Sequence, residues 1–297
     1  KGSVMTMNGR LFRGLGTALI TPFRGGEVDW AAYDKLIERQ LAAGVDALII
    51  CGTTGEPSTM TADEWERTLA CVVESVGGRV PVIAGTGGNC TADVIGKARV
   101  ARAIGADAQL CVTPYYNKTT QAGLIAHYTA VADDGALPLM VYNVPARTGL
   151  NLLPETLAAL AGHERIIAVK EASGDVAQIA DMLALCGDHI ACYSGSDELT
   201  VPVRALGGRG VISVAANIAP ALMCEMTHLP LEQAAKLNLR AMPLFRALFS
   251  EVNPIPVKAA AAMLGLCENE VRLPLLPLSS AHAHKLHEEM QKAGLIC

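Results

Sequence analysis

The stretch 166-IIAVKEASG-174 begins as a buried strand and ends with the charged pair Lys170 and Glu171. An unbroken apolar run predicts a strand covered on both faces, because a half-exposed strand alternates apolar and polar residues. Lysine is among the side chains least often buried, and an unpaired ammonium group in an apolar wall is costly. Lys170 therefore calls for either a chemical role or a carboxylate partner.

Seven further runs of the same kind bring the total in the first 217 residues to eight. In chain order the eight runs are 14-GLGTALITPF, 46-DALIICGTT, 80-VPVIAGTG, 106-ADAQLCVTPYY, 137-LPLMVYNVP, 166-IIAVKEAS, 190-IACYSGS and 209-RGVISVAAN. Helix-like segments alternate with them, as at 29–44, at 61–77 with its capping box from Thr61 to Glu64, and at 91–105. Strict alternation predicts parallel strands with helical crossovers, and eight units favour a closed (β/α)8 TIM barrel over an open doubly wound sheet.

Beyond Asn217 the strand pattern stops and only helical patterns follow. We predict helices near 218–228, 231–250, 254–265 and 279–294. The predicted fold is therefore α/β, with a (β/α)8 barrel over residues 9–228. An all-helical C-terminal extension is expected over residues 229–297.

The composition excludes several classes of partner. The 297 residues are 51% hydrophobic and 18% charged, with a net charge of -5 and no basic run. Nucleic acid and anionic membranes are therefore not expected as partners. The longest charge-free stretch, 210–224, is too short to span a bilayer and is interrupted by Asn217 and Pro220.

The ends and the cysteines add little specific chemistry. Residues 1–4 precede the first methionine and are expected to be an added remnant, and the N-terminal segment lacks the apolar core of a secretory signal. The nine cysteines show no C-x-x-C pair and no metal-ligand spacing with histidines, so we interpret them as small core residues. We expect a cytoplasmic protein.

Chemistry in a parallel barrel lies at the carboxyl ends of the strands, where the βα loops meet. These ends carry threonines, tyrosines and one lysine, without a histidine or a metal-ligand cluster, so no metal site is expected. The residues at these ends are Thr21, Thr53, Thr54, Gly85, Thr86, Tyr115, Tyr116, Tyr142, Asn143, Lys170, Glu171, Gly195 and Ile212.

Lys170 faces the barrel mouth if Val169 faces the helices. Burial there would lower its pKa, and a neutral amine attacks carbonyl groups to form a Schiff base. The alternative is a structural ion pair, for example with Glu171. Tyr142 on the preceding strand could transfer protons to the lysine's substrate, with Thr53 and Tyr116 extending a hydroxyl relay; core packing is the alternative for each tyrosine.

Two further groups suit carboxylates. The turn 52-GTTGE-56 exposes backbone N–H groups, and the Thr54 hydroxyl can donate to a small carboxylate. Arg147, in 142-YNVPARTG-149, is a planar fork suited to a second carboxylate. An ordinary turn with a threonine cap and a solvated loop arginine are the respective alternatives.

Taken together, these segments resemble the dihydrodipicolinate synthase family of pyruvate-dependent aldolases and lyases. The resemblance runs from about Gly14 to Pro277 and rests on 52-GTTGE, 114-PYYNK, 142-YNVPARTG, 168-AVKEASG, 193-YSGSD and 210-GVISVAAN. It implies that Lys170 captures pyruvate as a Schiff base and that Tyr142 exchanges protons beside it. Thr53 would complete the relay together with Tyr116, which in this family reaches into the neighbouring subunit.

The resemblance also implies the substrates, the remaining site residues and the assembly. Thr54 would hold the pyruvate carboxylate, Ile212 and Gly195 would line the same pocket, and Arg147 would receive the carboxylate of L-aspartate 4-semialdehyde. The implied product is 4-hydroxy-tetrahydrodipicolinate, which leads to diaminopimelate and lysine, and no cofactor is required. A homodimer that pairs into a homotetramer is implied.

Inhibition by L-lysine is the feature for which the sequence departs from the family. Ala62 and Trp65 stand where lysine-inhibited members often carry histidines, although Asn89, Asp93 and Tyr115 could still contribute to an allosteric pocket. We therefore predict weak or absent inhibition by L-lysine.

Three alternatives to the synthase activity are considered. N-acetylneuraminate lyases share the lysine and the tyrosine, but they usually carry a Ser-Thr pair at Thr53-Thr54 and lack an arginine at Arg147. Keto-deoxy sugar acid aldolases remain an alternative, because the acceptor pocket depends on loops. A non-catalytic keto-acid-binding member would be expected to lack Lys170 or Tyr142, and both are present.

Overall fold

The computed structural model describes residues 11–297. Ten strands occur in this part of the chain, and eight of them form one closed barrel of parallel strands. The barrel strands are β1 (Gly14–Ala18), β4 (Ala47–Ile50), β5 (Val82–Gly85), β6 (Ala108–Val112), β7 (Leu139–Asn143), β8 (Ile166–Glu171), β9 (Ala191–Ser194) and β10 (Gly210–Ser213). The short strands β2 (Phe23–Arg24) and β3 (Glu27–Val28) form a separate antiparallel hairpin.

The barrel closes because β1 pairs with both β4 and β10. Each of the eight predicted apolar runs contains one barrel strand, so the predicted TIM barrel is confirmed and the open doubly wound sheet is wrong. The predictions for residues 1–4, for the N-terminal segment and for a barrel start at residue 9 concern residues that lie outside the described part.

Twelve α-helices accompany the strands between residues 11 and 297. They are α1 (Trp30–Ala42), α2 (Ala62–Val76), α3 (Thr91–Ile104), α4 (Gln121–Gly135), α5 (Pro145–Thr148), α6 (Pro154–Leu160), α7 (Val176–Cys186), α8 (Thr200–Ala205), α9 (Pro220–His228), α10 (Leu231–Leu248), α11 (Ile255–Met263) and α12 (Ser280–Lys292). The predicted capping box of α2 is present, with Thr61 and Glu64 bonding each other's backbone N–H groups. The four C-terminal helices lie where they were predicted.

Strand alternation directs the side chains of β8. Val169 packs in the cluster between strands and helices, together with Leu157 and Ile179, whereas Ala168 belongs to the cluster inside the barrel. Because successive side chains point to opposite faces of a strand, Lys170 points inward like Ala168. The expectation that Val169 faces the helices is confirmed.

The C-terminal helices pack beside the barrel and also reach its mouth. Helix α10 contacts α9, α11 and α12. The side chains of Asn253, just before α11, and Lys258, within it, bond residues of the 52-GTTGE-56 turn after β4. Within residues 11–297, none of the helices is both long enough and apolar enough to cross a membrane.

Candidate active site

Lys170 lies at the carboxyl end of β8, with tyrosines on both neighbouring strands. The strand register pairs it with Tyr142 on β7 and with Tyr193 on β9. Its side chain is buried, and its Nζ atom lies 4.4 Å from the centroid of the Tyr142 ring. The ammonium form therefore lies against an aromatic face rather than in water.

The electrostatic surroundings favour the neutral amine. Burial lowers the pKa of Lys170 to about 8; the nearby Asp197 carboxylate opposes this change, and the charge of Arg147 adds to it. Glu171 is not its partner, because the Glu171 carboxylate accepts from the Asn143 amide and from the Ser173 N–H. The alternative of an ion pair between Lys170 and Glu171 is therefore wrong.

Gly195 leaves the space that the lysine side chain occupies. A Cβ atom at this position would lie 3.1 Å from Cε of Lys170 and 2.7 Å from Cβ of Ala172. Its backbone N–H donates to the Glu171 carbonyl oxygen at 2.7 Å, which fixes the loop after β9 against β8. Any side chain here would crowd Lys170.

Tyr142 is a protonated phenol at the mouth of the barrel. Burial raises its pKa to about 12, while the charge of Arg147 and a hydrogen bond with Thr53 act in the opposite direction. A neutral phenol both donates and accepts a hydrogen bond, which suits a group that passes protons between a substrate and a hydroxyl relay.

A cavity of about 260 Å³ opens beside Tyr142. Its lining includes Thr53, Tyr142 and Arg147 of the predicted site, together with Tyr115. Lys170 is not among the lining residues and lies against the ring of Tyr142. A volume of this size suits a small polar substrate, and its walls carry hydroxyl groups and one guanidinium.

Thr54 and Ile212 are buried and do not line this cavity. The Thr54 hydroxyl accepts a hydrogen bond of 2.9 Å from the amide of Asn253. Ile212 on β10 is fully buried in the cluster inside the barrel. Both lie at the carboxyl ends of their strands, as predicted, while their contacts with a substrate remain predictions.

Tyr116 is the predicted site residue that the fold does not bring to Lys170. Its side chain is 90% exposed, and its backbone has a φ of 69°, in the left-handed region. This conformation is uncommon for a residue other than glycine. Tyr116 is not among the residues that line the cavity beside Tyr142 in its own chain.

The three predicted allosteric residues share a second cavity. Asn89, Asp93 and Tyr115 line a space of about 460 Å³. Tyr115 and Gly87 also line the cavity beside Tyr142, so the two cavities are neighbours. Ala62 and Trp65 line a third cavity instead, and the Trp65 indole donates to the Gly85 carbonyl oxygen.

Sequence reasoning did not single out Asp197 or Asn253. Asp197 is buried, and its Oδ2 atom accepts from the N–H groups of Val214 and Ala215. Burial raises the pKa of Asp197, and the Lys170 charge opposes this. The motif 193-YSGSD contains this carboxylate, but only folding brings it near Lys170. The residues from 11 to 297 contain no group of three or more histidine, cysteine or carboxylate side chains that could hold a metal ion.

Comparison with known proteins gives one consistent family. The profile of the "Dihydrodipicolinate synthetase family" matches residues 11–293. The 4-hydroxy-tetrahydrodipicolinate synthase of Geobacter metallireducens is 49% identical over 290 residues, which cover 96% of this chain and 100% of that protein.

Two solved structures agree with this family in fold. The dihydrodipicolinate synthase of Thermotoga maritima is 42% identical, with a TM-score of 0.95 over 97% of this chain and 100% of that one. The chloride-inhibited dihydrodipicolinate synthase of Acinetobacter baumannii, complexed with pyruvate, is 40% identical, with a TM-score of 0.94 over 96% of this chain and 99% of that one.

Proposed function

Because this chain belongs to the dihydrodipicolinate synthetase family, we propose that it is a carbon–oxygen lyase that condenses pyruvate with L-aspartate 4-semialdehyde. The product is 4-hydroxy-tetrahydrodipicolinate, a precursor of diaminopimelate and lysine. Relatives 49% identical over nearly the whole chain carry the name of this activity. The observation that carries the proposal is the buried amine of Lys170: burial lowers its pKa to about 8, so a much larger fraction of it is neutral near physiological pH than for an ordinary lysine.

The first half of the reaction joins pyruvate to the enzyme. The Thr54 hydroxyl holds the pyruvate carboxylate, and the neutral amine of Lys170 attacks the keto carbon. Tyr142 donates the proton with which the carbinolamine loses water, and Thr53 and Tyr116 exchange that proton with solvent. Tyr142, which has given up its proton, then takes a proton from the methyl group of the imine, and the enamine forms. Gly195 and Ile212 line the pocket around Lys170.

The second half joins the aldehyde and releases the lysine. Arg147 binds the carboxylate of L-aspartate 4-semialdehyde through a two-pronged hydrogen bond. The enamine carbon attacks the aldehyde carbon, whose oxygen takes up a proton from Tyr142 and becomes a hydroxyl group, while the bond to Lys170 becomes an imine again. The amino group of the second substrate then attacks the imine carbon, which closes the ring and releases Lys170 as a free amine. Lys170 is both the electron sink and the leaving group, so the proposed reaction needs no cofactor.

Tyr116 acts in the site of a partner subunit. Its 90% exposure and its position outside the cavity of its own chain support this role. A homodimer would then be the smallest complete unit, and two such dimers would pair into a homotetramer. Two measurements test this role: the size of the protein in solution and the activity of Tyr116→Phe. If the relay crosses the interface, the variant should lose activity while its oligomeric state stays unchanged.

Two further assignments complete the proposal. The enzyme is proposed to act in the cytoplasm. The chain is proposed to divide into a barrel at 9–228 and a helical extension at 229–297. This division is supported by helices α10, α11 and α12, which follow residue 228 and pack against one another.

Inhibition by L-lysine is proposed to be weak or absent. Asn89, Asp93 and Tyr115 line a common cavity, but Ala62 and Trp65 contribute to a neighbouring one. Without imidazole groups at those two positions, a bound lysine would lose hydrogen bonds. Titration of the activity with L-lysine tests this, and a submicromolar inhibition constant would contradict it.

Product analysis by mass spectrometry tests the activity itself. Purified protein receives pyruvate with L-aspartate 4-semialdehyde and, in parallel, pyruvate with N-acetylmannosamine or with sugar aldehydes. Selective formation of the heterocycle is expected, because Arg147 offers a carboxylate site that the sugars cannot use. Turnover with the sugars alone would assign the protein to a sister lyase.

A further inference from the structure

Asn253 touches two groups to which carboxylate binding is assigned above. It lies in the segment between α10 and α11, and its side chain is buried. Its amide nitrogen donates to the Thr54 hydroxyl oxygen at 2.9 Å. Its backbone carbonyl oxygen accepts from Nη2 of Arg147 at 3.3 Å. One residue of the C-terminal extension thus contacts both candidate carboxylate-binding residues of the barrel.

The direction of the first hydrogen bond has a chemical consequence. A hydroxyl group has one proton to donate, and Thr54 accepts from Asn253 without using that proton. In the part of the chain from residue 11 onward, no protein group accepts from the Thr54 hydroxyl. The amide contact therefore leaves the Thr54 proton free to be donated to a carboxylate.

The side-chain amide of Asn253 uses its N–H group in a hydrogen bond but not its oxygen. The Oδ1 atom of Asn253 is buried and has no hydrogen-bond partner among the described protein groups. Leaving a buried acceptor unpaired costs about 1–3 kcal/mol, which a residue needed only for packing would avoid. An asparagine at this position is explained if its N–H group is required.

A second contact from α11 holds the same turn. Nζ of Lys258 lies 2.7 Å from Oε1 of Glu56, and both side chains are almost fully buried. Glu56 itself has a φ of 55°, so the turn adopts a conformation that its sequence does not favour by itself. The turn that carries Thr54 is therefore held from the extension at two of its five residues.

We propose that Asn253 is a positioning residue for pyruvate: its amide orients the Thr54 hydroxyl so that the hydroxyl proton is donated to the pyruvate carboxylate. The inference rests on the proposed binding of pyruvate, and it extends the site to the C-terminal helices. Asn253 acts through Thr54 and does not itself contact the reacting atoms.

Trapping of the pyruvate Schiff base with borohydride tests the inference without the second substrate. The trapped fraction, measured by intact mass at increasing pyruvate concentration, gives a half-saturation concentration. Asn253→Ala should raise this concentration roughly ten-fold, the effect of one lost hydrogen bond to a charged group. The fully trapped fraction should stay unchanged, because Lys170 is intact.

Two comparisons separate positioning from packing. Asn253→Asp keeps the side-chain shape, but its carboxylate accepts the Thr54 proton and repels pyruvate, so it should weaken binding more than alanine does. A packing role predicts the opposite order. In a Thr54→Val background, Asn253→Ala should have no further effect, because the group through which it acts is missing.

The controls make each failure distinct. Thr227→Val removes a buried hydroxyl that bonds only within its own neighbourhood in and beside α9, and it should leave the half-saturation concentration unchanged. Thermal melting confirms that each variant folds, and Asn253→Ser replaces the alanine variant if that one does not. A normal adduct with unchanged half-saturation in the Asn253 variants overturns this inference alone. The absence of any adduct in the unaltered protein overturns the proposed function as well.

Discussion

Two lysines are buried within residues 11–297, Lys170 and Lys258, and their surroundings differ in one decisive respect. The Nζ atom of Lys170 lies 4.4 Å from the ring centroid of Tyr142, and the Nζ atom of Lys258 lies 4.1 Å from the ring centroid of Phe23. Lys258 also forms an ion pair of 2.7 Å with Glu56. Within residues 11–297, Lys170 has no such ion pair with a carboxylate.

Burial lowers the pKa of both lysines, but different groups oppose this effect. For Lys258, the charge and hydrogen bond of Glu56 oppose the effect of burial. For Lys170, the charge of Asp197 opposes it, and the pKa falls to about 8. Burial alone therefore does not make a lysine reactive; the absence of a bonded carboxylate distinguishes the candidate nucleophile from the structural cation.

The largest expected effect is on catalysis at Lys170. We expect Lys170→Met to lower turnover by more than about 10³-fold, because the variant lacks the amine that forms the imine. The fold should remain intact, since methionine fills a similar volume. Steady-state kinetics with a melting curve measure both properties, and near-normal turnover in the variant would disprove the mechanism.

The same substitution at Lys258 should lower the stability of the protein much more than its activity. We expect Lys258→Met to lower the free energy of unfolding by about 3–5 kcal/mol, because it leaves the Glu56 carboxylate buried without its partner. Activity below the melting temperature should fall by less than about ten-fold.

Denaturant unfolding measures this loss, and the double variant Glu56→Gln, Lys258→Met provides the control. It should recover part of the stability, because the uncompensated charge is gone. A single variant as stable as the unaltered protein would show that the pair is not structural.

The pH dependence of stability should also reveal the lowered pKa of Lys170. Between pH 8 and 10.5, Lys170 is protonated in the unfolded chain and neutral in the folded one, so raising the pH through this window favours folding. The full difference corresponds to about 3 kcal/mol, and it is present as a penalty below pH 8.

Comparison of the unaltered protein with Lys170→Met isolates this contribution. The methionine variant should be more stable at pH 7, and its advantage should shrink as the pH approaches 10.5. Equal pH slopes in the two proteins would mean that the pKa of Lys170 is not lowered.

A smaller effect is expected at Arg147. We expect Arg147→Ala to lower kcat/KM for L-aspartate 4-semialdehyde by about 10–100-fold, because a charged two-pronged hydrogen bond is lost. Arg147→Lys should recover only part of this, since an ammonium is a point charge rather than a planar fork. Pyruvate should still be trapped on Lys170 in both variants. If pyruvate trapping fell as much as kcat/KM does, Arg147 would act in the binding of pyruvate rather than of the second substrate.

The sequence predicts the fold well because each barrel strand is a local apolar run and each helix carries local signals. Lys170 could be assigned to the barrel mouth because strand alternation and the position at the strand end are also local properties. Lys258 could not be recognised in the same way, since its partner Glu56 is 202 positions away. Asn253 and Thr54, 199 positions apart, meet for the same reason only in the folded chain. The exposure of Tyr116 likewise depends on the loop conformation after β6.

The most direct test is to reduce the protein with borohydride in the presence of pyruvate and to map the modified lysine by peptide mass spectrometry. A neutral amine forms an imine readily, whereas an ammonium held by a carboxylate does not. The adduct is predicted on Lys170 alone, with Lys258 unmodified. An adduct on any other lysine, or no adduct at saturating pyruvate, would contradict the central claim that Lys170 is the nucleophile.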